Sequence, residues 1–312
     1  MDGTHPTPAR WDNPSIPTYV GRTLSAMVTT PRTLAFASAA AVLLAASACT
    51  PQAQPAPMPT VSMPCAKDSL PTETAGKLTI ATGAAVRQPW FVDDKPDNGQ
   101  GFESAVAYAV AEQLGYARDD VTWTRVGSEA AVAPGPKTFD FGIDQFSISD
   151  EGKQAVDFSA PYHLVRQAVI TLKSAEIAGG AALAELRDAR LGAQAGTTGH
   201  QAITDLVRPS SEPRTYKSRD EATKALRSGR IDGLVVDLPT AFTIAGTEID
   251  DAVIVGQLPQ VGSPEAFGLL LEKDSPLTGC VSATVGQLAS EGVLKQLEER
   301  WLAQEAGAPE LT

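Results

Sequence analysis

Histidine, cysteine and methionine are scarce in this chain: 312 residues contain 3 His, 3 Cys and 4 Met. None of the His or Cys stand at the short mutual spacings that hold zinc or attach a haem, which argues against a metal centre built on imidazole and thiolate. Basic residues are also short, with 25 Lys+Arg against 37 Asp+Glu and a formal net charge of −12. Such a surface repels phosphate backbones and anionic headgroups, so nucleic acid is not an expected partner. After residue 49 no stretch is long and apolar enough to cross a bilayer as a helix, which takes about 20 residues.

The one strongly apolar run is Leu34 to Ala48, preceded by Arg32 and followed by Cys49. It has the length of a signal-peptide core. With small Ser47 and Ala48 before the cysteine, it resembles a bacterial lipoprotein signal, although Ala46 stands where such signals usually carry Leu. The resemblance implies a leader at 1–26 that is mis-assigned or disordered, with translation starting at Met27. A signal peptide at 27–48, cleavage before Cys49 and lipidation of that cysteine follow from it. Residues 49–76 then form a Pro-rich tether, and the body is expected outside the cytoplasm, held to the outer face of the membrane by lipid alone. Cys65 and Cys280 are left as one possible disulfide pair in an oxidising compartment, or as two free buried thiols.

Strand and helix patterns alternate through the body. Lys77–Thr82, Val121–Val126, Phe139–Ile143, Gln167–Leu172, Leu191–Gln194, Gly233–Val236 and Ala266–Leu271 read as strands from alternation and β-branching. Phe102, Val106, Val110 and Leu114 mark an amphipathic helix stopped by Gly115. Ser218 and Glu221 form a capping box for another. Two further helices run through Val281, Val285 and Leu288, and through Leu294, Leu297 and Trp301. Repeated β-α units predict α/β architecture with mainly parallel sheets.

Several short pieces occur in a fixed order: Gly101-Phe-Glu103, Ser147-Ile-Ser149, Val156-Asp-Phe-Ser-Ala-Pro-Tyr162, Gly196-Thr-Thr198, Gly229-Arg-Ile-Asp232, Asp237 and Ser275-Pro-Leu277. Together they resemble the extracellular solute-binding proteins of ABC importers for polar amino acids (family 3). The resemblance implies a type II periplasmic-binding-protein fold, with two α/β lobes joined by two crossover strands and a ligand cleft between them. Lobe 1 is expected at 77–162 plus 257–303, lobe 2 at 163–256, and a tail at 304–312. The crossings are placed near Ser159 to Gln167 and Val253 to Leu258. Hinge closure around a small ligand is the expected motion, and delivery to an ABC permease the expected role, with no cofactor and no catalytic step.

Candidate ligand contacts follow from chemistry and register. Trp90 and Phe91 offer aromatic faces in a loop after the first strand. Thr197 and Thr198 open a helix whose free N–H groups suit a carboxylate. Asp237 matches the family position that holds the ligand's ammonium, and Gln145 and Ser147 are positioned to hydrogen-bond it. One departure bears on specificity. The family places Arg after the Glu of the stretch matching Ser149-Asp-Glu-Gly-Lys153, where it forks onto a carboxylate. Here that position is Gly152, with Lys153 beside it as the stand-in. Asp144 adds a second acid, so two acids and no certain Arg favour a cationic ligand, a basic amino acid or an amine. Glu103 and His163 join the two aspartates as acid–base candidates for an alternative, dehydratase-like reading. His163 and His200 are expected at the surface or behind the contact layer. A sensor acting through a separate partner is the other alternative, and a monomer is expected.

Overall fold

The computed structural model describes residues 65–180, 182–260 and 262–312. The leader, the apolar run, Cys49 and residues 50–64 of the tether lie outside the described residues. Ten strands form two sheets among the described residues: β1 (Leu78–Thr82), β2 (Val121–Arg125), β3 (Phe141–Gly142), β4 (Val156–Leu164), β5 (Gln167–Leu172), β6 (Leu191–Gln194), β7 (Arg214–Tyr216), β8 (Gly233–Asp237), β9 (Ala252–Gln257) and β10 (Ala266–Glu272). One sheet has the order β2-β1-β3-β10-β4, the other β7-β6-β8-β5-β9. Each sheet belongs to one lobe.

The sheets are mixed, which corrects the expectation of mainly parallel pairing. Around β1 and β6 the pairs are parallel, but β10 is antiparallel to β3 and β4, and β5 to β8 and β9. The physical reason is the connection. A helical crossover returns the chain parallel, whereas β4, β5, β9 and β10 are the strands through which the chain passes between lobes without a helix.

Apolar spacing fixes the helices. Phe102–Gln113 buries Phe102, Val106 and Val110, and Thr278–Ser290 buries Val281, Val285 and Leu288. Ser218 caps Arg219–Arg227 by accepting from the Glu221 N–H. Cys65 and Cys280 form a disulfide, tying the start of the described chain to helix Thr278–Ser290.

The first crossing lies between Leu164 and Gln167, inside its expected window. The second lies at 258–265, later than Val253–Leu258, because β9 is an edge strand of the lobe 2 sheet that pairs with β5. A third connection was not legible. Helical turns through Trp301 and Leu302 end, and the Ala308 N–H donates to the Leu302 carbonyl. The chain then runs to lobe 2, where the Gln257 N–H donates to Pro309 O at 2.7 Å and the Leu311 N–H donates to Gln257 O at 2.8 Å. Leu311 is 1 % exposed and packs with Val169, Val255 and Leu258. Residues expected as a tail therefore complete the lobe 2 core. Gly256 permits this: a Cβ there would come within 2.7 Å of both Leu311 and the Pro309 carbonyl.

Candidate functional site

Two cavities of about 480 Å³ each lie along the cleft, and Thr240 lines both. The first sits against lobe 2 and the crossing segments. It is lined by Arg166, Gln167, Thr197, Thr198, Asp237 and Glu265, among others. β8 delivers Asp237 at its C-terminal end, where the carboxylate caps helix Leu238–Thr243 and accepts the Thr240 N–H at 2.9 Å. Thr197 caps the short helix Thr198–Ala202: its Oγ donates to Gln194 O at 2.8 Å and accepts the His200 N–H at 3.4 Å. Arg166 is a site residue that the sequence reading missed. It stands on the first crossing and pairs with Glu310 of the C-terminal segment at 2.7 Å. No motif marks it; only the path of the chain brings it to the cavity.

The second cavity lies between the lobes. Lobe 1 contributes Arg87, Trp90, Phe91, Asp144 and Gln145, and lobe 2 contributes Pro239, Phe242 and Thr243. Trp90, 4 % exposed, meets Phe242 of lobe 2 edge-to-face at 6.2 Å between centroids and also packs on Phe102, His163 and Phe267. Phe91 is buried against Trp123. The Asp144 carboxylate is half-buried, and the hydrogen bond it accepts comes from Ser128 Oγ at 3.1 Å. Burial pushes its pKa up, while the Ser128 hydroxyl and the more distant Arg125 pull the other way. Arg125 is itself paired with Asp94 at 2.9 Å. The carboxylate fills the space over Gly83, where a Cβ would come within 2.7 Å of Asp144 Oδ2.

Gln145 is held in a left-handed conformation, φ 54°, an uncommon backbone for a residue with a side chain. Its N–H donates to Glu103 Oε1 at 2.7 Å, and the Tyr162 hydroxyl donates to the same oxygen. Glu103 is 0 % exposed, and burial raises its pKa to about 8, with the Asp144 charge adding to the rise. A buried carboxyl thus holds the turn that presents Asp144 and Gln145 to the cavity.

Other expected contacts fall elsewhere. Ser147 does not line either cavity; its hydroxyl donates to Glu265, which lines the first. Lys153 is exposed and pairs with Asp150 at 3.2 Å, away from both cavities. A Cβ on Gly152 would lie 3.0 Å from the Phe158 ring and from Ser149 Oγ, so neighbours fill the space a side chain would need there. His163 is not at the surface: it is 3 % exposed among Trp90, Phe102 and Phe267, with Nδ1 2.6 Å from Glu298 Oε1. Among the described residues no cluster of three or more His, Cys, Asp and Glu is arranged to hold a metal. No helix among them is long and apolar enough to cross a membrane.

A two-lobed α/β body with polar residues converging on the interlobe cleft defines a hinge-type binding protein. Residues 78–304 match the model of the bacterial extracellular solute-binding proteins, family 3, and the chain belongs to that family. It is 28% identical over 246 residues to the L-cystine-binding protein TcyJ of Escherichia coli (strain K12), covering 76% of this chain and 87% of that one. It is 26% identical over 252 residues to the L-arginine-binding protein of Pseudomonas aeruginosa, covering 75% and 92%. The solved structure of an ancestral cyclohexadienyl dehydratase shares the fold, with a TM-score of 0.52 and 21% identity over 73% of this chain and 92% of that one.

Proposed function

We propose that the chain captures an amino acid carrying a positive group at its far end and delivers it to an ABC permease. The observation that carries this reading is Asp144, a half-buried carboxylate between aromatic walls that pairs with no cation among the described residues. An uncompensated buried charge is costly, and a ligand ammonium or guanidinium would offset that cost. The first cavity offers Asp237 to the ligand's α-ammonium, with Thr197, Thr198 and Arg166 for its carboxylate. Relatives named for arginine and for cystine both bind solutes bearing more than one ammonium or guanidinium group, which supports the reading.

The protein acts as a monomer without turnover in this reading. Of the four acid–base candidates, Glu103 and His163 are sealed in lobe 1 and line neither cavity, which supports binding over chemistry. Export and lipidation at Cys49 place it on the outer face of the membrane; mass spectrometry showing an unmodified N-terminus would refute this part.

The test is thermal unfolding of the purified chain with the twenty amino acids, ornithine, citrulline and polyamines. A cation-bearing amino acid at a hundred times its dissociation constant adds about 2.7 kcal/mol of stability. Stabilisation by glutamate alone, with no response to basic amino acids, overturns the assignment of Asp144. Conversion of a ligand during incubation favours the dehydratase reading.

A further inference from the structure

The two cavities repeat one charge pattern. The first carries cation and anion together: Asp237 and Glu265 line it with Arg166, which Glu310 holds at 2.7 Å. So does the second, where Arg87 and Asp144 share the lining. A cavity built for a lone ammonium or guanidinium needs no Arg. Arg87 is exposed and makes no ion pair among the described residues, unlike Arg125, which Asp94 occupies. Its guanidinium is thus available for a carboxylate, while Asp144 is available for an ammonium.

One helix runs past both cavities. Asp237 caps it in the first cavity, Thr240 lines both, and Thr243 lines the second. From Asp237 to Thr243 the axis rises about 9 Å at 1.5 Å per residue. Each cavity alone, at about 480 Å³, is already within the range of whole small-molecule sites.

We infer that the ligand is two-headed: an amino acid with an α-amino-carboxylate at each end of a short chain, one head against Asp237 and Thr197, the other against Asp144 and Arg87. This rests on the amino-acid reading above and adds a carboxylate at the far end. Asp144 alone would accept arginine or lysine; Arg87 is the residue that separates them from a two-headed solute. Its guanidinium can fork onto the second carboxylate.

Calorimetric titration of the purified chain tests this with L,L-cystathionine and meso-diaminopimelate against L-arginine and L-glutamate, in wild type, Arg87→Gln and Asp144→Asn. Wild type is expected to bind a two-headed probe at least about tenfold more tightly than either single-headed one, the loss of one charge-assisted contact. Arg87→Gln should erase that margin by weakening the two-headed probes at least about tenfold. Its unfolding temperature without ligand should be unchanged, since the residue is exposed. L-Arginine binding as tightly as the two-headed probes, or no effect of Arg87→Gln, overturns the inference and leaves the amino-acid reading standing. Failure of every probe, one-headed and two-headed, overturns that reading itself and the inference with it.

Discussion

Glu103 shows how a residue outside the cavity governs what the cavity presents. Its carboxyl accepts from the Gln145 N–H and the Tyr162 hydroxyl, and its second oxygen has no partner among the described residues. Burial raises its pKa from 4.5 to about 8. The unfolded chain releases this proton near pH 4.5 and the folded chain near 8, so between those values the native state holds the extra proton. Stability therefore falls as pH rises through that window, by up to about 1.4 kcal/mol per pH unit. Thermal unfolding from pH 5 to 9 should show this slope, and Glu103→Gln should flatten it; an equal slope in the variant would refute the assignment. Asp144→Asn is expected to weaken binding of a cationic probe by about thirtyfold to a few thousandfold, the range for losing one partner of a buried charge pair. Lys153→Ala should leave it unchanged, because that side chain pairs with Asp150 outside both cavities. Residue type and order in the sequence pointed to Trp90, Asp144, Thr197 and Asp237, all of which line a cavity. Arg87 and Arg166 were not legible, since a surface-type residue carries no periodic signal and only chain path places it.

At the scale of elements, several strands were read from the sequence nearly to the residue: β5 and β6 match their expected bounds, and β1 and β2 differ by one residue each. The short elements were not. β7, three residues long, follows Pro213 and has no alternation of its own. The C-terminal segment is held by backbone hydrogen bonds to Gln257, an ion pair with Arg166 and the buried Leu311 side chain, a mode of attachment without a period. Its weight can be measured. Leu311→Ala should lower stability by about 2–5 kcal/mol, the usual cost of truncating a buried Leu, read by urea unfolding. Gly256→Ala should do comparable damage by pushing Leu311 and Pro309 away. The Cys65–Cys280 link closes 215 residues of sequence, and breaking it with Cys65→Ser should cost about 2–5 kcal/mol. A melting curve insensitive to reductant would show that the bond is not formed in solution.

Across the whole molecule, Trp90 of one lobe rests on Phe242 of the other, and three chain segments bridge the lobes. Ligand that engages both cavities draws both lobes into one unit, so a stabilising solute should narrow the scattering-derived radius of gyration as well as raise the unfolding temperature. A shift in temperature without contraction would mean binding to one lobe only. The paths of those three segments also set the order in which the molecule can be made. Lobe 2 is inserted within lobe 1: β1 to β4 precede it in the sequence, while β10, their sheet partner, follows it. Cys65 waits for Cys280, and the lobe 2 core waits for Leu311. Each lobe therefore completes its core only with segments that follow lobe 2 in the sequence, so the two lobes close together rather than one after the other.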